Sequence, residues 1–374
     1  MLTFKHWSPL GSSIAIPLWN STSYLNSSPS SILLTQVCIE LVSCTQACLS
    51  ISLSHRHTLP LGKVRVWQLA ANMVQHTLSH SVVLEVSADD IWEVSKQLDE
   101  ILPALEPEYF TKSTFIEGIP GEPGSIRLVK PGPAVPHAGE WKERLDFFDE
   151  ESKSSGYTII GGDPRYNNVT SVIKCVASGK SSTEVTWTCT YEPVGDAPAP
   201  EHMKEGVVKV LKTLEKAVKS RQTLTHTETI DASPDAVWKA VHNLDNIVPK
   251  YLPDVFESAT NISGQYYGKP GGIRIVKFGP AVPMAGELWE RLDFSDDATK
   301  TMGVSTLKGD PRYPYLKTIK VVGPAAVEGT TDAVWTVTYI AAGNAGPPES
   351  HKHMYIQVCK VIGAELKANP KAYA

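Results

Sequence analysis

Two carboxylates in this chain stand where the strand pattern wants apolar side chains. In the stretch "EWKERLDF" alternate residues face opposite ways if it forms a strand. Trp141, Glu143, Leu145 and Phe147 then share one face, and Lys142, Arg144 and Asp146 the other. Further along, "ELWERLDF" puts Glu290 with Leu288, Leu292 and Phe294. An isolated buried carboxylate is too costly to keep, so each needs a partner. The arginine of the preceding apolar run is the nearest candidate: Arg127 in "SIRLVK" and Arg274 in "GIRIVK". Two roles stay open for Glu143/Arg127 and Glu290/Arg274. One is a buried structural ion pair that fixes strand register. The other is a cavity-facing catalytic pair, with glutamate as general acid or base and arginine holding an oxyanion.

The two sites match because the chain repeats itself. "PGSIRLVKPGPAVPHAGEWKERLDFFD" returns as "PGGIRIVKFGPAVPMAGELWERLDFSD", and "GDPRY" occurs at Gly162–Tyr166 and again at Gly309–Tyr313. A repeat of this size is a duplicated domain and not a solenoid unit. The copies occupy residues 76–220 and 222–374. In each, an alternating strand precedes two short helices, with Ser87 and Asp89 as caps of the first. Short alternating runs broken by Gly, Pro and Asn read as an antiparallel meander. A closing helix carries Met203, Val207, Leu211, Leu214 and Val218, then Met354, Val358, Val361, Ile362 and Leu366, at amphipathic spacing. The expected fold is α+β: two tandem helix-grip domains, each a curved antiparallel sheet around a long C-terminal helix with an internal cavity.

Composition narrows the function. Across 374 residues, 42% are hydrophobic, which is ample for a core, and the net charge of −5 comes without any basic run or stripe. Nucleic acid and anionic lipid are therefore not expected partners. The six cysteines show no paired or metal-ligand spacing, so free thiols in a reducing compartment are expected, with neither metal nor cofactor. Residues 1–72 are Ser- and Thr-rich with Glu40 as their one acidic residue, which reads as a transit-like leader, a disordered segment or a gene-model artefact. The polar interruptions of Ile32–Leu53 argue against a membrane span. The expected location is cytoplasmic, or the plastid if the leader is a transit peptide. "GIPGEPG" lacks the Lys and Ser/Thr of a phosphate loop and reads as a turn, while His202, His351 and His353 read as solvated helix starts. Tyr191 and Tyr339 share a strand face with Trp187 and Trp335, either as core or with hydroxyls reaching a cavity.

On these residues each copy resembles a plant helix-grip domain of the START-like superfamily. That superfamily includes the birch-pollen-allergen (pathogenesis-related class 10) proteins, the abscisic-acid receptors and lachrymatory-factor synthase. "ERLDFFDEESKSSGYTIIGGDPRYNNVTSVIKCV" is similar to the receptors, and "ANPKAYA" to the ending of the pollen-allergen group. The resemblance implies that Glu143 and Glu290 match a pocket carboxylate of the receptors and the acidic catalytic residue of the synthase, whose arginine Arg127 and Arg274 match. "PGPAVP" (Pro131–Pro136) and "FGPAVP" (Phe278–Pro283) take the place of the receptors' gate, and "GDPRY" that of their latch. Pro164 and Pro311 replace the latch histidine, and the receptors' ligand-binding lysine has no counterpart, Lys250 lying one residue out of register. Trp141, Arg165, Tyr166, Tyr191, Arg312, Tyr313 and Tyr339 become the ligand-binding candidates. The implied partner is a small hydrophobic metabolite, held by a carrier or turned over by a polyketide-cyclase-type isomerase, cyclase or dehydratase. A receptor would add a protein phosphatase as partner.

Overall fold

The computed structural model describes residues 39–42 and 48–51 by their backbone, and 74–374 apart from 136–138, 264–265, 268 and 283–285. The rest of the leader, Cys38 and Cys44, and Pro136 and Pro283 of the two gate-like loops lie outside the described residues. Strands β1 (Ile39–Val42) and β2 (Cys48–Ile51) pair antiparallel. Residues from Val74 to the end form a separate compact unit that contains both copies.

The first copy runs β3 (His76–Leu84), α1 (Ala88–Ser95), α2 (Leu98–Leu105), β4 (Phe110–Glu117), β5 (Ile126–Pro131), β6 (Trp141–Asp149), β7 (Ser154–Gly161), β8 (Tyr166–Gly179), β9 (Ser182–Pro193) and α3 (Glu201–Lys219). The second repeats the order as β10 (Gln222–Ile230), α4 (Pro234–Val241), α5 (Leu244–Tyr251), β11 (Phe256–Asn261), β12 (Ile273–Phe278), β13 (Glu287–Asp296), β14 (Thr301–Lys308), β15 (Tyr315–Pro324), β16 (Thr331–Ile340) and α6 (Glu349–Ala368). Each copy is a seven-stranded antiparallel sheet in the order first, last, then back down the meander. The expected α+β pair of domains is what the chain forms.

Local chemistry sets the joints. Ser87 Oγ accepts from Asp90 N at 3.1 Å and Ser233 Oγ from Ala236 N at 3.4 Å, so a serine caps the first helix of each copy. The amphipathic stripe of α3 buries Leu211, Leu214, Ala217 and Val218, and that of α6 buries Cys359, Val361, Ile362 and Leu366. Among the described residues no helix is long and apolar enough to cross a membrane.

One strand expectation is corrected. Phe147 and Phe294 do not share the inner face with the glutamates. The register of β6 against β7 shifts between Leu145 and Phe147, and that of β13 against β14 between Leu292 and Phe294. Each shift is a bulge, and one extra residue flips every side chain beyond it. Phe147 is 39% exposed and lies over Gly156, where a Cβ would come within 2.2 Å of its ring. Phe148 turns inward and stacks on Trp92 at 4.4 Å.

Candidate functional site

The two ion pairs form as the parity argument expects. Arg127 stands opposite Glu143, and Arg274 opposite Glu290, on adjacent antiparallel strands. Arg274 donates from Nε and Nη2 to Glu290 Oε2 at 2.8 and 2.6 Å and from Nη1 to Asp245 Oδ1 at 2.5 Å. Its guanidinium lies 4.4 Å from the Tyr266 ring centroid and bonds the Tyr267 hydroxyl. Arg127 repeats the pattern, reaching Glu143 Oε2 at 2.8 and 2.5 Å and Asp99 Oδ1 at 3.0 Å, with Tyr157 as its aromatic neighbour. Each arginine therefore bridges two carboxylates. The aspartates were missed by strand parity because they sit on α2 and α5. The repeated "LDE" and "LDN" at the same helix position carried the signal.

The copies differ at the second carboxylate oxygen. In the first, Trp141 Nε1 donates to Glu143 Oε1 at 2.7 Å, so both oxygens are taken. In the second, the strand position opposite Val276 is Leu288, which has no donor. Glu290 thus keeps Oε1 free among the described residues, facing an internal cavity.

That cavity, about 150 Å³ in volume, lies between α6 and the second sheet. Its wall is mostly apolar, with Val237, Leu244, Phe256, Trp335 and Ile362 among the lining residues. Its charged or titratable lining groups are Asp245, Arg274, Glu290, Lys320, His351, Tyr355 and Cys359. Burial pushes the Glu290 carboxyl up, but the charge and hydrogen bonds of Arg274 lead the influences that hold it below the usual range. Burial brings the Lys320 amine below the ordinary lysine range even though Glu290 pulls the other way. Burial also lowers His351, whose Nδ1 is enclosed without a hydrogen-bond partner. Cys359 is pushed up to about 11 by burial, which keeps its thiol protonated and inert at neutral pH.

Sequence reading missed Lys320, and it placed His351 as a solvated helix start. The structure corrects the second point: His353 is exposed, while His351, two residues earlier, turns inward against Tyr313. Lys250 is not a cavity lysine; it pairs with Glu365 at 2.9 Å outside the cavity.

In the first domain the equivalent positions are apolar. Ile173 pairs with Trp187 as Lys320 pairs with Trp335, and Ile159 stands opposite Glu143 as Thr306 stands opposite Glu290. Met203 is third after the α3 cap, as His351 is after the α6 cap. Ile159, Ile173 and Met203 pack against a cluster that contains Tyr166, Trp187 and Tyr191. Arg127 and Glu143 instead border a charged cleft shared with Arg291, Asp293 and Lys317 of the second domain.

Arg165 pairs with Asp163 and Arg312 with Asp310, each at 2.5 Å within its own "GDPRY" turn. Tyr166 donates to Pro198 O at 2.9 Å and Tyr313 to Gly346 O at 3.1 Å, tying that turn to the segment before the long helix. Tyr191 packs edge-on to Tyr166, while Tyr339 does so to Tyr313 and donates to Gln222 Oε1 at 2.8 Å. Among the described residues the second-domain cavity is lined by neither Arg312, Tyr313 nor Tyr339.

A long helix held by a seven-stranded antiparallel sheet, with an apolar cavity between them, defines a helix-grip protein. The profile of the pathogenesis-related protein Bet v 1 family matches residues 73–221. The chain is 36% identical over 107 residues to "Ribonuclease 2" of Panax ginseng, covering 28% of this chain and 68% of that protein. It is 33% identical over 115 residues to the major allergen Pyr c 1 of Pyrus communis, covering 30% and 70%. On these matches the chain belongs to the Bet v 1 family. Similar solved structures include a truncated norcoclaurine synthase from Thalictrum flavum, at 27% identity, TM-score 0.32, and coverage of 39% of this chain and 94% of that one. Another is a di-domain ARO/CYC protein of the BE-7585A biosynthetic pathway, at 12% identity, TM-score 0.35, and coverage of 77% and 98%.

Proposed function

We propose that this chain binds one small hydrophobic molecule carrying a single oxygen function, and that it does so in the second domain. The observation that carries this reading is the set of polar groups aimed into that cavity: Lys320, His351 and the free oxygen of Glu290. A few convergent polar groups in an apolar wall are what orient a small ligand. The first domain puts Ile173, Met203 and Trp141 at those places, which suits a scaffold. A cavity of about 150 Å³ is the size that takes a one-ring molecule in other proteins.

Glu290 and Arg274 remain the acid–base and oxyanion candidates of an isomerase, cyclase or dehydratase acting in the same cavity, and the unpaired Oε1 favours that second reading. The receptor reading is disfavoured by the gate-like loops. Gly132 N and Ala134 N donate to Tyr109 O and Glu108 O at 2.8 Å, and Gly279 N and Ala281 N to Val255 O and Asp254 O at 3.0 and 2.8 Å, so these halves are pinned.

Native mass spectrometry of the protein taken from its source tests the reading. One bound small molecule per chain is expected, lost when Lys320 and Thr306 are both changed to Ile. Retention of the molecule in that variant, or two molecules per chain, would overturn it.

A further inference from the structure

We propose that Lys320 captures a small hydrophobic aldehyde or ketone as an imine inside the second-domain cavity. This rests on the binding reading above and names the ligand class.

Lys320 lies on β15 between Thr318 and Val322, all three lining the cavity. Burial lowers its amine and Arg274 adds to that, while Glu290 and Asp245 act through space in the opposite direction. No hydrogen bond anchors it among the described residues. An ammonium kept in an apolar wall without a bonded partner is expensive, and the usual resolution is loss of the proton. The neutral amine that results is the nucleophilic form, which is why lysines that form Schiff bases sit in desolvated pockets. Arg274 cannot take this role, because Glu290, Asp245 and the two tyrosines keep it protonated.

The chemistry closes without a further reagent. The Nζ lone pair forms the C–N bond to the carbonyl carbon, and the C=O pair moves to oxygen, which takes a proton to give a carbinolamine. That hydroxyl then leaves as water as the C=N bond forms. Over both steps an amine and a carbonyl give an imine and one water, with no change of oxidation state. Proton movement has two groups at hand in the same cavity, the free Oε1 of Glu290 and the buried imidazole of His351. The first domain has Ile173 at this register and so offers no amine at the equivalent place.

The test uses the full chain at pH 7 with benzaldehyde and sodium cyanoborohydride, read by intact mass and peptide mapping. One benzyl group on Lys320 is expected. It should form faster than on any surface lysine, since burial favours the neutral, nucleophilic amine at this position. Lys320→Ile should lose this fast adduct, and Lys320→Met serves as a second variant, with the circular dichroism of both checked for folding. Labelling spread over surface lysines, or unchanged in both variants, overturns the proposal. Benzyl alcohol separates the two levels of inference. If it raises the melting temperature while no adduct forms on Lys320, imine capture fails and the binding reading stands. If neither probe has any effect, both fail.

Discussion

The indole Nε1 of Trp141 donates to Glu143 Oε1 at 2.7 Å, and this bond separates two otherwise matched carboxylates. With Leu288 in that place, Glu290 is left with an oxygen for a ligand. Leu288→Trp should supply the missing donor and fill space beside the cavity. It is expected to weaken benzyl alcohol binding by about tenfold, a loss of roughly 1.4 kcal/mol, measured by calorimetric titration. Glu143→Gln should leave that binding unchanged. Equal affinities for wild type and Leu288→Trp would show that the wall at Leu288 is not what frees Glu290.

The duplication, the antiparallel meander and both Glu/Arg pairs were legible because they rest on strong local signals: near-identical repeats, short alternating runs and a charge on an apolar face. Lys320 obeyed the same parity rule yet was hidden by a coincidence. "VIKC" and "TIKV" invite alignment of Ile173-Lys174 with Ile319-Lys320, whereas the pairing with Trp187 and Trp335 makes Ile173 the true counterpart of Lys320. A slip of one residue moves a side chain to the other face of the sheet, and Lys174 is indeed exposed. The bulge that turns Phe147 outward had no such signal. It depends on a glycine in the neighbouring strand, Gly156, leaving room for the ring.

Glu100 on α2 gives a pH dependence of definite sign. Burial first, and then the neighbouring Asp99, raise its carboxyl to about 7. The native state therefore binds a proton that the unfolded chain, with an ordinary value near 4.5, has already released. Its contribution to stability is full below about 4.5 and is lost as pH rises through about 7. Glu100→Gln should match wild type in urea unfolding at pH 4.5 and exceed it at pH 8 by about 3 kcal/mol, the rise from 4.5 to about 7 being worth about 1.4 kcal/mol per unit. A variant less stable than wild type at pH 8 would contradict this.

The glycine of each gate-like loop is required by close backbone approach. A Cβ on Gly132 would come within 2.3 Å of Glu108 O, and one on Gly279 within 2.5 Å of Asp254 O. Neither contact can be relieved by a side-chain rotation. Gly279→Ala should cost about 1–3 kcal/mol, the usual penalty for forcing atoms into filled space, with Gly132→Ala similar. Gly121→Ala is the control for glycine loss in general, since space around it is open although its φ of +84° adds strain of its own. Wild-type unfolding curves for both loop variants would remove the steric account.

Tyr315 joins the two domains, and its replacement should uncouple them. The side chain is 1% exposed and belongs to the hydrophobic cluster of the first domain, with Leu84, Ile91 and Val94, although it starts a strand of the second. Beside it Leu316 N donates to Gln97 Oε1 at 3.1 Å, and Lys317 Nζ reaches Glu93 Oε1 at 2.7 Å. The first copy has Asn168 at this position, where it is exposed and bonds Glu192 at 2.8 Å, so the joint was created in one copy only. Truncating a buried aromatic costs about 3–5 kcal/mol. Here the loss falls on the contact between domains, while each sheet keeps its own core. In calorimetry Tyr315→Ala should therefore turn a joint unfolding transition into two, with the first domain melting earlier because the aromatic is lost from its cluster. Lys317→Ala removes two partly buried ion pairs, to Glu93 across the joint and to Asp293 within the second domain, and should shift the transition only slightly because Glu93 keeps Lys96. A single, unshifted transition in Tyr315→Ala would mean that the domains are coupled by other contacts.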